Sequence, residues 1–132
     1  DSLHIYSDKG YKTFSIKKKE NTDILMRNDG KAYLEFQNLE TPILNLRDSK
    51  THQIIFSINE VVNNDVKMEI YKWGFTNTNN ENGIFVSTIQ SKNQIFNFYD
   101  TKGEFINSRV IPASLKNYEI IYSQNQFEII KK

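Results

Sequence analysis

Apolar and polar residues alternate in short runs along most of the chain, and turn-forming residues separate the runs. In the segment from Gln94 to Ile111, Phe96 and Phe98 fall on one face of the first run, and Ile95, Asn97 and Tyr99 fall on the other, which is the period of a half-buried strand. The stretch Asp100 to Gly103 interrupts the alternation, and its glycine can take the positive φ of a tight turn. The segment therefore predicts a β-hairpin.

The same pattern recurs from one end of the chain to the other, and no window places apolar residues at helical spacing over ten or more residues. Asp29-Gly30 is a strong hairpin-turn signal. In the run 53–58 the alternation directs Ile54, Phe56 and Ile58 inward. The predicted strands are 3–6, 11–16, 24–26, 32–37, 43–47, 53–58, 66–75, 84–89, 94–99, 104–111, 118–123 and 126–130.

Two polar stretches interrupt this series of strands. Residues Asn59 to Asp65 predict a loop or one helical turn, and Thr76 to Gly83 predicts the longest loop, closed by a turn at Asn82-Gly83.

About a dozen short strands with turns between them are typical of a sandwich, a meandering barrel or propeller blades. A chain of 132 residues fits one domain. We therefore predict an all-β fold: a single domain over residues 1–132, built of consecutive antiparallel hairpins and closed as a barrel or packed as a sandwich. A propeller-blade-like fragment is the alternative.

An internal repeat motivates that alternative. Residues 43–50 match residues 95–102 without a gap, and residues 4–10 form a poorer third copy. The shared order of strand, Asp, polar residue, Lys and strand resembles a hairpin of a β-propeller blade, and it identifies no specific family. The chain could supply only three blades, whereas propellers have about four or more. Convergence of hairpins on favourable turn residues is the favoured explanation of the repeat.

Charge and composition narrow the classes of partner. The chain has 17 Lys and Arg against 16 Asp and Glu, a net charge of +1, so no long-range field attracts nucleic acid, and a nucleic-acid partner is disfavoured. The absence of Cys excludes disulfides, thiolate metal sites and a Cys nucleophile. No apolar run reaches the length of a membrane span, so we expect no transmembrane segment.

The composition also bears on origin and compartment. Heavy use of Ile, Lys and Asn is what A/T-rich codons encode and favours a bacterial source. The chain begins at Asp1, which predicts a trimmed segment, either of a secreted or lipoprotein-like protein or of a cloned one. An extracytoplasmic location is therefore slightly favoured.

Residues that could carry catalysis are scattered. His4 and His52 have no Cys, second His or acidic group at ligand spacing, so we expect both at the surface. Carboxylates and serines are isolated, and no nucleophile motif or phosphate-binding glycine loop is present. We predict no catalytic residue, no metal site and no cofactor. An enzyme is disfavoured but stays open, because active sites assembled from distant strands leave no motif.

The strongest candidate binding surface lies on the strand predicted before the Asn-rich loop. Three aromatic residues at alternate positions share one face, which either packs in the core or binds a partner. The asparagines that follow could form a polar rim. The predicted binding residues are Tyr71, Trp73, Phe75, Asn77, Asn79 and Asn80.

A second candidate surface is the basic patch Lys17, Lys18 and Lys19. A solvated turn that protects a sheet edge explains it, and contact with phosphate or an acidic partner is the functional alternative.

These observations favour a non-enzymatic module that binds another protein, such as an inhibitor, an immunity-type protein or an extracytoplasmic bacterial binding protein. The alternative is a small-molecule carrier in a lipocalin-like β-barrel, because the aromatic residues could line its cavity. The oligomeric state is not predicted.

Overall fold

The structure is a computed structural model that describes residues 2–6, 12–17, 20–39, 42–58, 61–63, 66–68, 70–78 and 81–132, with side chains for 20–39, 42–58, 70–76 and 83–132. Every described strand pairs antiparallel with a neighbour, and the described residues contain no helix. The predicted all-β class of antiparallel hairpins is confirmed.

Fourteen strands are described. They are β1 Ser2–Tyr6, β2 Lys12–Lys17, β3 Thr22–Met26, β4 Ala32–Gln37, β5 Ile43–Asp48, β6 Ile54–Ile58, β7 Val61–Asn63, β8 Val66–Met68, β9 Ile70–Thr78, β10 Glu81–Gln90, β11 Asn93–Tyr99, β12 Phe105–Pro112, β13 Tyr118–Ser123 and β14 Gln126–Lys131.

The chain forms two compact units, Asp1–Asn59 and Glu60–Lys132. Each contains one open four-stranded sheet with consecutive strands as neighbours, β3-β4-β5-β6 in the first unit and β9-β10-β11-β12 in the second. Three separate hairpins, β1-β2, β7-β8 and β13-β14, accompany them. That one domain spans residues 1–132 stays a prediction.

The core of the first unit lies on one face of its sheet. Leu34 and Phe36 of β4 lie opposite Leu46 and Leu44 of β5, and Leu44 lies opposite Ile58 of β6. All five side chains are buried. Strict alternation along β4 and β5 therefore brings these apolar side chains together, as the sequence pattern requires.

The core of the second unit joins its sheet to the hairpin β13-β14. Phe96 and Phe98 of β11, Ile111 of β12 and Phe127 of β14 form one buried cluster. The rings of Phe98 and Phe127 stack with centroids 4.9 Å apart. The hairpin thus packs against the face of the sheet that carries Phe96, Phe98 and Ile111, and three of the four buried side chains in the cluster are aromatic.

The hairpin predicted over Gln94 to Ile111 is present as β11, a turn and β12. Gly103 has a φ of 89°, and its N–H donates to the carbonyl of Asp100 at 3.1 Å. The Asp100 carboxylate accepts from the N–H groups of Lys102 and Glu104 at 2.8 and 2.9 Å. Glycine conformation and an aspartate cap close the turn together.

Two predicted polar stretches differ from the structure. β9 continues to Thr78 and β10 begins at Glu81, with Gly83 opposite Thr76, so most of the predicted loop is strand. Gly83 has no positive φ, and its role is to leave room for the ring of Phe127, which would lie 2.8 Å from an added Cβ atom. Within the predicted loop or helical turn at 59–65, Val61–Asn63 forms β7 because it pairs with β8.

The inward orientation predicted for Ile54 is wrong. Ile54 and Ile55 are both 49% exposed, whereas Ile58 is buried. The register between β5 and β6 shifts so that Leu46 lies opposite Phe56 and Arg47 opposite Ile54. The resulting bulge at Ile55 ends the alternation that the sequence pattern assumes.

Candidate functional site

The predicted aromatic surface lies on β9, an edge strand of its sheet. Trp73 lies opposite Val86 and Phe75 opposite Ile84. Val86 and Ile84 are fully buried, and both aromatic side chains are half-buried. Because residues opposite each other share a face, Trp73 and Phe75 border a buried apolar surface.

Tyr71 does not continue this alternation. Lys72 lies opposite Ser87, but the next pair is Ile70 with Thr88, which leaves Tyr71 as the extra residue of a bulge. Its side chain is 52% exposed. Bulges redirect side chains away from a regular strand, so Tyr71 becomes the exposed member of the three predicted aromatic residues.

The bulge also brings a cation between two tyrosines. The Lys72 ammonium lies 5.7 Å from the centroid of the Tyr71 ring and 6.0 Å from that of Tyr118. Its backbone N–H donates to the Ser87 hydroxyl at 3.1 Å, and the Tyr118 ring packs edge-on against Phe96 with centroids 5.7 Å apart. We name Tyr71, Lys72 and Tyr118 the tyrosine–lysine cluster. The sequence analysis missed Lys72 and Tyr118, since only the packing of β13 on the sheet brings the second tyrosine near.

The remaining predicted binding residues stay predictions. Asn77 lies in β9 and Lys17 ends β2, and for both the structure describes the backbone alone. Outside the described residues lie Asn79, Asn80, Lys18 and Lys19.

A polar network in the first unit was not anticipated. The carboxylate of Glu35 accepts from Gln37 Nε2 at 3.1 Å, from Asn45 Nδ2 at 3.0 Å and from Arg47 Nε at 3.0 Å. Burial raises the pKa of Glu35, but these hydrogen bonds and the charge of Arg47 outweigh it and hold the pKa below its ordinary value. The carboxylate is therefore ionised and engaged by three donors.

His52 belongs to the same network. Its φ is 63°, an uncommon conformation for a residue with a Cβ atom. Arg47 Nη1 donates to the His52 carbonyl at 2.6 Å, and Tyr33 Oη lies 2.9 Å from His52 Nδ1. Burial raises the pKa of Tyr33, an effect that the charge of Arg47 opposes and that of Glu35 reinforces. His52 is half-buried rather than at the surface as expected, because Tyr33, 19 positions earlier, holds its ring.

The network suits a structural role better than a catalytic one. Glu35 is 9% exposed, so a substrate has little access to its carboxylate, and one of the two carboxylate oxygens, Oε1, already accepts from all three donors. Arg47 is committed to both Glu35 and the turn at His52. The arrangement fixes the turn after β5.

Within the described ranges, no group of three or more His, Cys, Asp or Glu residues is placed to hold a metal ion. The part of the chain with described coordinates also contains no helix long and apolar enough to cross a membrane. Comparisons of the chain with models of known protein families, with curated proteins and with solved structures found no match.

Proposed function

We propose that the protein is a non-enzymatic module that binds another protein through the tyrosine–lysine cluster. The observation that supports this proposal is the placement of the Lys72 ammonium 5.7 and 6.0 Å from two tyrosine rings, one of which is 52% exposed.

The cluster combines the properties of an interface anchor. Tyrosine offers a large contact area with few rotatable bonds and is enriched at binding hot spots. A lysine near two rings has fewer rotamers to lose on binding, because each ring attracts its charge. The bulge at Tyr71 sets the direction of the exposed ring. An ammonium group held near two tyrosine rings favours a partner that presents a carboxylate.

The kind of module that we propose is an inhibitor or immunity-type protein. Such a protein masks one partner with a fixed surface. The carrier alternative gains no support from the second unit, because the rings of Phe96, Phe98 and Phe127 fill the space between the sheet and the hairpin.

The proposal is tested by affinity capture from an extract of the source organism with three immobilised proteins: the wild type, Tyr71→Ala and Val110→Ala. Val110 is the control because it is 59% exposed on the same sheet but lies on β12, outside the cluster. We expect a protein that the wild type and Val110→Ala retain and Tyr71→Ala loses.

The purified partner should then bind Tyr71→Ala about 30-fold more weakly, which corresponds to about 2 kcal/mol. Equal binding by all three proteins would place the interface elsewhere, and would contradict the assignment of the cluster.

A further inference from the structure

Exposed lysines gather at one end of the second unit. Because neighbouring strands are antiparallel, the start of β9, the turn between β10 and β11, and the end of β12 lie together at this end of the sheet. The Ala113 N–H donates to the Lys92 carbonyl at 2.8 Å and joins the turn to the loop before β13. We name the described residues 70–72, 88–95, 110–120 and 129–132 the basic end. Its lysines, all exposed, are Lys72, Lys92, Lys116, Lys131 and Lys132.

Tyr118 connects three of these lysines. The Lys72 ammonium lies 6.0 Å from the centroid of its ring. Lys131 of β14 lies directly opposite Tyr118 of β13, so the two side chains share one face of the hairpin. Lys116 precedes Tyr118 by two positions. The sheet and the hairpin thus contribute positive charge to the surroundings of one tyrosine.

Most of this charge has no acidic partner. The basic end contains one carboxylate side chain, that of Glu119, which lies 3.4 Å from Lys132 Nζ. Among the described residues, the other four lysines make no ion pair. Five lysines and one glutamate carry +4, whereas the whole chain carries +1, so the residues outside the basic end carry a net −3. The nearly neutral total therefore conceals a strongly positive end.

Exposed apolar and aromatic side chains accompany the lysines. Tyr71 is 52% exposed and Ile89 is 38% exposed. Ile89 lies two positions after Ser87 on β10, and Lys72 lies opposite Ser87, so Ile89 and Lys72 lie on the same face of the sheet. Apolar anchors with a charged rim are the usual composition of a protein interface.

The first unit has acidic residues at two matching positions. When each sheet is aligned on the asparagine of the sequence repeat, Asp23 of β3 takes the place of Lys72. Glu40 precedes the first copy of the repeat by three positions, as Lys92 precedes the second copy. A sheet of the same strand order therefore forms with the opposite charge at these positions, so the fold itself does not require the lysines.

We propose that the basic end binds an acidic surface of the partner protein, on which several carboxylates surround an apolar side chain that packs against Tyr71 and Ile89. The inference rests on the proposed function, because the basic end includes the tyrosine–lysine cluster. Opposite charges accelerate the encounter of two proteins and disfavour wrong partners, while the apolar contact stabilises the complex.

Two features favour an acidic protein over nucleic acid. The basic end contains no arginine, the residue that binds phosphate in a bidentate manner, and the adjacent Arg109 is engaged by Glu128. The net −3 outside the basic end also repels an extended polyanion, whereas a compact acidic surface contacts the basic end alone.

The inference is tested with two fluorescent probes at low salt, a poly-glutamate peptide and a poly-thymidine oligonucleotide of the same length. We expect the wild type to bind poly-glutamate more tightly than the oligonucleotide, and added salt to weaken the binding. Lys92→Glu combined with Lys116→Glu should weaken poly-glutamate binding by about tenfold or more. Both side chains are exposed, so this double variant should keep the urea midpoint of the wild type.

Lys50→Glu combined with Lys102→Glu is the matched control. It changes the net charge equally, and both lysines are exposed in turns outside the basic end, so binding should change by less than about twofold. Equal losses in the two double variants, no binding of poly-glutamate at low salt, or tighter binding of the oligonucleotide would overturn the inference.

The outcome is separable from that of the proposed function, because Tyr71→Ala is measured on the captured partner and the lysine variants on poly-glutamate. A partner that Tyr71→Ala loses, together with poly-glutamate that does not bind, would overturn this inference and leave the proposed function standing. Poly-glutamate binding that depends on Lys92 and Lys116, together with a partner that Tyr71→Ala retains, would support the basic end and contradict the assignment of the cluster.

Discussion

The side-chain amide of Asn107 binds the backbone of Phe127 as a neighbouring strand would. Asn107 Nδ2 donates to the Phe127 carbonyl at 2.8 Å, and the Phe127 N–H donates to Asn107 Oδ1 at 3.0 Å. Both residues are buried. One side chain thus satisfies two backbone groups that would otherwise be buried without partners, and it fixes β14 against β12.

We expect Asn107→Leu to lower the free energy of unfolding by about 2 to 3 kcal/mol, because it leaves the N–H and carbonyl of Phe127 unsatisfied. Urea unfolding measures the loss, and amide hydrogen exchange at Phe127 should accelerate. Val110→Ala, at a 59% exposed position on the same strand, is the control and should cost less than half as much. An Asn107→Leu variant with unchanged exchange at Phe127 would contradict the role assigned to the amide.

Gly83 leads to a second prediction, which concerns packing. An added Cβ atom would lie 2.8 Å from Phe127 Cζ and from the Tyr99 carbonyl oxygen, and 2.9 Å from Thr76 Oγ1. Because backbone cannot move aside as a flexible side chain can, we expect Gly83→Ala to destabilise the fold by about 2 kcal/mol or more. The midpoint of urea unfolding measures the effect.

Gly30→Ala is the matched control for Gly83→Ala. No atom lies within 4 Å of an added Cβ at Gly30, but its φ is 72°, so only backbone strain of about 1 kcal/mol opposes alanine there. A Gly83 variant as stable as the Gly30 variant would mean that the sheet and the hairpin β13-β14 are not packed this closely.

Features that depend on neighbours in the sequence were predictable, and features that depend on distant strands were not. The turn at Asp100 to Gly103 is local, and it forms as predicted. Asn82-Gly83 also has the composition of a turn, but Phe127, far along the chain, decides how Gly83 is used. Likewise, the alternation of Trp73 and Phe75 could be predicted from the sequence. The bulge at Tyr71 could not, because it depends on the register between β9 and β10.

The third prediction concerns the turn conformation of Gly103. Its φ of 89° is unfavourable for a β-branched residue, so Gly103→Val should destabilise the protein by about 1 kcal/mol or more. Gly103→Asn should cost less, because asparagine tolerates positive φ better than other residues with a Cβ atom. Equal unfolding midpoints for the two variants would show that the turn does not require this conformation in solution.

The fourth prediction separates Trp73 from Tyr71. Trp73 is half-buried opposite the buried Val86, so Trp73→Ala should lower the free energy of unfolding by about 2 kcal/mol, part of the cost of removing a fully buried aromatic side chain. Tyr71→Ala should cost less, because Tyr71 is 52% exposed. A neutral quencher should reach the fluorescence of Trp73 only in part. Full protection of Trp73 would instead make it a core residue.

The last prediction follows from the lowered pKa of Glu35 and concerns acid stability. The pKa of Glu35 in the folded protein lies below the ordinary value of 4.5. As the pH falls, the unfolded chain therefore takes up the proton before the folded chain does. The contribution of ionised Glu35 to the free energy of unfolding is therefore fully present when the pH is above the ordinary pKa. It is lost as the pH falls through the pKa of Glu35 in the folded protein.

Glu35→Gln removes the titration and keeps the size of the side chain. We expect the wild type to exceed this variant in free energy of unfolding at pH 7, and the difference to shrink steadily as urea unfolding is repeated from pH 5 down to about pH 2.5. Glu128→Gln is the control, because Arg109 also lowers the pKa of Glu128. The side chain of Glu128 is 39% exposed against 12% for Glu35, so solvent screening should make its pH-dependent difference much smaller. Parallel curves for the wild type and Glu35→Gln would mean that Glu35 titrates at its ordinary pKa in the folded protein, and that the three donors do not hold its charge.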